Sequence, residues 1–209
     1  MVLYHGSDII VKNPRYDKGR KEVDFGMGFY LTEDKKMAQK WACNKDKSIL
    51  NIYIADLSEL KIKTLVADGE WLDYVIYNRT HEGKKPFDDV DYDAIIGPTA
   101  DDKLFATIDL YMDGVISKEK TIEIVNCMKY SNQIVLKNEQ AIEKALAFKE
   151  AKEIKGLEKQ TLRQRIVEER KMASKKANEV MRNGRWLDAW FWRKGLMQES
   201  SRNFRIISN

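Results

Sequence analysis

The sequence predicts an α+β domain over residues 1–146, followed by a basic, Trp-rich helical extension over 147–209. Three observations predict it. Several short strand-like runs follow one another with no helix between them, which argues against a doubly wound parallel sheet. The 209 residues are 43% hydrophobic and 33% charged, a globular composition in a chain long enough to bury a full core. The net charge of +4 is unevenly spread: residues 149–209 hold 16 Lys/Arg against 8 Asp/Glu, and the rest of the chain 21 against 25. That shift places a boundary near residue 147 and points to an anionic partner for the extension.

The elements read in order as follows. Met1–Tyr4 is a short apolar strand ending at the polar His5-Gly6-Ser7, and residues 13–24 form a polar loop around Pro14 and Gly19. Asp24–Thr32 brings two glycines and then an apolar run. Thr32 is the expected cap of a helix running to about Cys43, with Glu33 and Asp34 in its first turn, where carboxylates complement the dipole. Ile49–Leu57 and Leu60–Val66 carry strand-type residues, the second in clear alternation. Glu70–His81 is a helix with Trp71, Tyr74 and Val75 on one face, and Asp93–Gly97 a short buried strand. Helices follow over Asp101–Met112, ended by Gly114, and from Ser117 to Met128. Gln133–Lys137 is a strand, and Glu139–Leu146 opens the last helical section. There Leu162, Ile166, Ala173, Ala177 and Val180 make a thin apolar stripe among charges.

Composition also excludes several classes. Two cysteines, Cys43 and Cys127, are too few for a disulfide framework, and a buried free thiol is expected for each. His5 and His81 offer no zinc spacing. No apolar run approaches a bilayer span, and MVLYHGSDII lacks the basic start and long apolar stretch of a signal peptide. A metal-free cytoplasmic protein with no membrane partner is expected.

Chemistry concentrates in three segments: Tyr4-His5-Gly6-Ser7, Phe25-Gly26-Met27-Gly28-Phe29-Tyr30-Leu31-Thr32, and Asn132-Gln133-Ile134-Val135-Leu136. Gly-x-Gly alone would suggest a Rossmann loop, but no third glycine follows and the pair precedes a strand rather than a helix. Its glycines suit a backbone turn or a close approach to a ligand. A histidine at a strand end can exchange a hydrogen bond with a sugar hydroxyl, and the Gly6 main chain can meet a carboxamide. Each feature also has an ordinary structural explanation: Tyr30 and Trp41 as core aromatics, Asp24 and Arg20 as loop contacts, and Asp101-Asp102 as a helix start.

Together the segments resemble the diphtheria-toxin and poly(ADP-ribose) polymerase branch of the ADP-ribosyltransferases. The resemblance is closer still to a bacterial family of that fold with YHGS, DFGxGFYLT and IIGP–ADD segments, matched here by Ile95-Ile96-Gly97-Pro98 and Ala100-Asp101-Asp102. It covers roughly residues 2–146 and implies a split β-sheet core with flanking helices. It further implies NAD as substrate, mono-ADP-ribosyl transfer to a protein or nucleic acid (a glycosyltransferase reaction) and toxin–antitoxin character with a small antitoxin-like partner. His5 would hold a ribose hydroxyl and Gly6 the nicotinamide carboxamide. Tyr30 and Trp41 would sandwich the cationic ring, with a stacking gain on the order of 1–2 kcal/mol. Ser7, Gly28 and Phe29 would line the same site, and Arg20 would meet a phosphate. His5 and Tyr30 are expected to face each other across one cleft.

The departure is at the late strand. The branch places Glu at its start, where this chain has Gln133, or Asn132 if the register slips by one. Cleavage passes through an oxocarbenium-like state that a carboxylate opposes, whereas an amide brings no charge. Gln133 therefore stands as the third catalytic candidate and keeps open an alternative: a catalytically weak NAD- or nucleotide-binding module acting through its tail. In that tail, Arg163, Arg165, Arg170, Lys171, Lys175 and Lys176, then Trp186, Trp190 and Trp192, admit two readings. Residues 158–209 either contact nucleic acid or form a solvated helix whose tryptophans pack on the core or on a partner.

Overall fold

A computed structural model describes residues 1–43, 45–100, 102–127, 130–182, 197–198 and 205–206. The architecture is mixed α+β. The chain divides into two compact units, Met1–Asp101 with Lys129–Glu169, and Asp102–Met128 with Arg170–Asn209.

The first unit holds two sheets. One joins β1 (Val2–Ser7), β3 (Ile49–Ala55) and β7 (Leu146–Glu153), all antiparallel, in the order β1-β3-β7. The other runs β2-β6-β5-β4, from β2 (Phe29–Leu31), β6 (Asn132–Leu136), β5 (Ala94–Pro98) and β4 (Ile62–Thr64). Only its β4–β5 pair is parallel. Alternation along the strands supplies the core: Leu3, Phe29, Leu31, Tyr53, Ile134 and Leu136 turn into one buried cluster, which Ala141 and Ile142 of α5 (Glu139–Ala145) complete. On the other side of the first sheet, α1 (Lys35–Cys43) contributes Ala38, Ala42 and Cys43 to a second cluster with Leu50, Ile52 and Ile154.

The helix starts follow side-chain chemistry. Asp34, not Thr32, caps α1, accepting from the Lys36 and Met37 N–H groups at 2.9 and 3.3 Å. Thr32 instead donates to the Asn132 carbonyl at 2.9 Å and accepts from the Asp34 N–H. Asp68 caps α2 (Gly69–Thr80) through the Trp71 N–H, and His81 ends it in the left-handed region at φ 59°. Trp71, Tyr74 and Val75 are fully buried, as their spacing predicts, and the Trp71 indole donates to the Pro98 carbonyl at 2.9 Å.

Two boundaries differ from the sequence expectation. Residues 146–153 are a strand rather than helix, because LAFKEAKE pairs along β3 and its Phe148 meets Tyr53 edge-on. The first turns of α6 (Gly156–Arg182) then lay Leu162 and Ile166 into the second cluster. The boundary expected at 147 thus falls inside the first unit, whose chain runs on to Glu169. Cys43 is buried as expected, but Cys127, just past the end of a helix, is exposed. In the second unit α3 (Asp102–Met112) packs with α4 (Lys118–Asn126), which Ser117 caps, and β8 (Met197–Gln198) pairs with β9 (Arg205–Ile206). The segment of Trp186, Trp190 and Trp192 lies outside the described residues.

A buried polar brace ties the polar loop to the second sheet. The Asp24 carboxylate accepts from Arg79 of α2, from the Gln133 amide at 2.8 Å and from the Ala100 N–H at 2.7 Å. Arg79 also donates to the Ala100 carbonyl. Burial raises the Asp24 carboxyl above its usual range, against the pull of Arg79, Gln133 and Ala100. Asp24→Ala would strand the Arg79 charge and is expected to cost about 3–5 kcal/mol in urea unfolding. A loss below about 1 kcal/mol would show the brace to be dispensable.

Candidate functional site

The two sheets meet at one point. Tyr4 of β1 and Thr32, just past β2, exchange a pair of main-chain hydrogen bonds, 2.9 Å from Tyr4 N to Thr32 O and 3.0 Å back. Both Tyr4 main-chain groups therefore face β2. Strand geometry alternates, so the N–H and C=O of Gly6, two residues on, face the same way. By the same rule the Tyr30 N–H and C=O face β1. No Gly6–Tyr30 bridge closes the pair, because the strands part beyond Tyr4 and Thr32. Past the bridge the Gly6 main chain faces β2 without pairing to it, and the Tyr30 carbonyl is met by the His5 ring instead; this parting of the strands is the gap between Gly6 and Tyr30.

Glycine at position 6 is required by what lies behind it. A Cβ there would collide with the Ala38 carbonyl oxygen of α1 and come within 2.7 Å of the Ala42 nitrogen. The helix rests directly on the back of β1, so α1 forms the wall behind Gly6. Trp41 lies on this helix, half-buried against the Ala38–Ala42–Leu50–Ile52 cluster beside Tyr4. Among the described residues Trp41 and Tyr30 are not stacked on each other.

His5 is held in one orientation. Its Nδ1 lies 2.7 Å from the Tyr30 carbonyl, and its ring lies against Phe29, with centroids 4.6 Å apart. A carbonyl only accepts, so Nδ1 carries the proton. Burial lowers the imidazole pKa, outweighing the Tyr30 hydrogen bond and the nearby Asp8 charge, and leaves the ring neutral near pH 7. Nε2 is then a lone-pair acceptor, and among the described residues no protein group occupies it.

Tyr30 projects from the opposite face of β2. Its hydroxyl donates to the Gly26 carbonyl at 2.7 Å and accepts from the Phe25 N–H at 3.0 Å. Burial raises this phenol far above its ordinary range, with Asp24 adding to the effect. The imidazole and the phenol thus do not face each other across a cleft as expected. They flank β2 from its two faces and are linked through the Tyr30 carbonyl.

The remaining candidates divide. Phe29 is core and supports the His5 ring. Gly28 lets the loop pass against Val135 and the Leu136 carbonyl, where a Cβ would clash. Ser7, expected at the ligand, is buried and serves the fold: its Oγ donates to the Ile9 carbonyl at 2.6 Å and accepts from Asn51 at 2.9 Å. Arg20 is exposed, and its charge reaches the Tyr30 phenol. Gln133 is only 2% exposed, and its amide donates to Asp24, so at the start of β6 the exposed side chain is Asn132. The side chains of Asp101 and Asp102 lie outside the described residues. Arg79 escaped the sequence reading. The one available signal was a cation inside a helix whose buried face carries Trp71, Tyr74 and Asn78.

Residues 1–148 match the model of a family described as "Protein of unknown function (DUF3990)". The chain belongs to this family. No curated protein and no solved structure matches it. The matched region of this DUF3990 protein contains β1, β2, α1 and β6, and with them every element that edges the gap. Among the described residues no group of His, Cys, Asp or Glu is arranged to hold a metal ion, and no helix is long and apolar enough to cross a membrane.

The His5 geometry gives a pH prediction. The folded state binds the His5 proton less tightly than the unfolded chain does. The stability this contributes is present above the unfolded value of about 6.5 and is lost as pH falls through the lower, folded value. The urea midpoint should therefore fall more between pH 7.5 and 5.5 in the wild type than in His5→Gln. Parallel pH profiles would show that His5 does not titrate in this way.

Proposed function

We propose that this chain is an NAD-dependent mono-ADP-ribosyltransferase, moving ADP-ribose from NAD to a macromolecular acceptor and releasing nicotinamide. The observation that carries the reading is the Gly6 main chain, turned toward β2 without a bridge to it, beside a neutral His5 that is held by the Tyr30 carbonyl. A primary carboxamide needs a donor for its oxygen and an acceptor for its amide hydrogens, and the Gly6 N–H and C=O provide that pair side by side. The free Nε2 of His5 accepts from a ribose hydroxyl. The order HGS, FGMGFYLT, Trp41 and late strand, together with two sheets joined at β1 and β2, is in keeping with the resemblance. Tyr30 and Trp41 remain the ring-binding aromatics of this reading, and Arg20 its phosphate contact.

In the reaction the bond between the ribose anomeric carbon and the nicotinamide nitrogen breaks, and its electron pair neutralises the pyridinium. The acceptor nucleophile forms the new bond to that carbon and gives up its proton. The main-chain clamp on the carboxamide and the fixed imidazole hold the glycosidic bond in position. Charge stabilisation of the oxocarbenium-like state is weak, because the residue exposed at the start of β6 is Asn132 and the Gln133 amide is bound to Asp24. That observation also favours a second reading, an NAD-binding module of low turnover. The acceptor is a protein or nucleic acid. The basic α6 and the residues after it are where a nucleic acid or a small antitoxin-like partner would dock, giving the protein a toxin-like role.

Labelled NAD mixed with the protein and a bacterial lysate should yield a labelled macromolecule and free nicotinamide. His5→Ala and Tyr30→Ala should each lower that yield by about tenfold or more, the value of one lost hydrogen bond or ring contact. Asn132→Glu should raise nicotinamide release by about tenfold or more by restoring a charge opposite the oxocarbenium. Gln133→Glu should instead weaken the fold, since it sets a second carboxylate against Asp24. NAD binding by calorimetry with no label transferred at any enzyme level would leave only the module reading.

A further inference from the structure

A cavity of about 280 Å³ opens between the start of β1 and the starts of β2's outgoing turn and β6. Its apolar lining residues are Ile134, Ile96, Leu57 and Met1. Its polar rim is one-sided. Asp34 is already occupied, accepting from the Lys36 and Met37 N–H groups and from the Ser131 hydroxyl at 2.6 Å. Glu33 is exposed with no protein partner among the described residues, as is the Asn132 side chain. The one cation in the wall among the described residues, the Met1 ammonium, is bound to the Ala55 carbonyl at 2.8 Å and lies near the Asp56 carboxylate. The cavity therefore offers a hydrocarbon floor ending at one free carboxylate and one free amide carbonyl.

We propose that this cavity receives a lysine or arginine side chain of a protein partner. The methylene stem lies along Ile96, Ile134 and Leu57, and the cationic head meets Glu33 and the Asn132 Oδ1. Long cationic side chains bury their stems on apolar surface while the head stays wet, which is the division this cavity makes. Thr32 joins the cavity to the β1–β2 junction through its bonds to Tyr4 and to the Asn132 carbonyl. As the acceptor subsite the assignment rests on the transferase reading; as a binding site it stands without it.

The test is a titration of the full chain with N-acetyl-arginine amide, N-acetyl-lysine amide and the neutral N-acetyl-citrulline amide, following the Ile96 and Ile134 methyl resonances. Both cations should move both methyls, and citrulline should bind about fivefold more weakly at low salt, the range of one rim ion pair. Glu33→Gln should remove that difference without changing the thermal midpoint, since Glu33 is exposed and has no bonded partner among the described residues. Unmoved methyls, equal binding of citrulline, or unchanged discrimination in Glu33→Gln would each overturn the proposal. Addition of NAD and a peptide holding one arginine and one lysine separates the two claims. Binding without transfer sinks the transferase reading and leaves the cavity assignment standing, whereas transfer that persists in Glu33→Gln with no cation preference removes the cavity from the reaction.

Discussion

The pair of hydrogen bonds between Tyr4 and Thr32 is the constraint on which the site depends. It joins a three-stranded sheet to a four-stranded one at a single residue pair and then lets the strands part. Unpaired strand edges are costly when buried and invite pairing when exposed. Here the parting leaves a short edge, at Gly6 and Tyr30, with α1 behind it and His5 at its side. In the proposed reading such an edge recognises a flat amide by the same hydrogen bonds that would otherwise extend a sheet. On that reading the recognition groups come from the backbone, and the side chains fix their surroundings.

Two features hold that edge in place. Behind β1, Ala38 and Ala42 are fully buried and the glycine at position 6 permits the helix to sit against the strand, so the wall cannot recede without opening the cluster of Leu50, Ile52 and Ile154. Ahead of β2, the loop is pinned through Asp24 to Arg79, Gln133 and Ala100, and the Tyr30 hydroxyl is tied to Phe25 and Gly26 of that same loop. A buried ion pair contributes little net stability, but removing one partner is costly, so its value here is in fixing one loop conformation. At the start of β6, Gln133 serves the brace, and Asn132 is left at the surface.

What the sequence made legible were the local signals. The alternating and amphipathic runs located most strands and helices, and the HGS and FGMGFYLT segments marked the residues that edge the gap. Features set by distant pairing were not legible. LAFKEAKE is rich in helix formers, and only its pairing with β3 makes it a strand. Thr32 precedes acidic residues as a helix cap would, yet its hydroxyl goes to a carbonyl a hundred positions away, leaving the cap to Asp34. Asp24 and Arg79 are 55 residues apart and carry no local mark of being partners. The charge shift near 147 was real, but the fold uses the chain beyond it, through Leu162 and Ile166, to cover its first sheet. The opposite facing of His5 and Tyr30 follows from strand alternation once the Tyr4–Thr32 bridge is known, and nothing local reveals that bridge.

The central claim is that the Gly6 and Tyr30 main chain forms a carboxamide-binding edge. The most direct measurement is a nitrogen–proton correlation spectrum of the full chain titrated with nicotinamide and, separately, with nicotinic acid. The Gly6 and Tyr30 amide resonances should move together and saturably with nicotinamide, while nicotinic acid, which offers no amide hydrogens to the Gly6 carbonyl, should move them far less. Amides at Gly6 and Tyr30 that stay fixed at saturating nicotinamide, or that respond equally to the acid, would contradict the account.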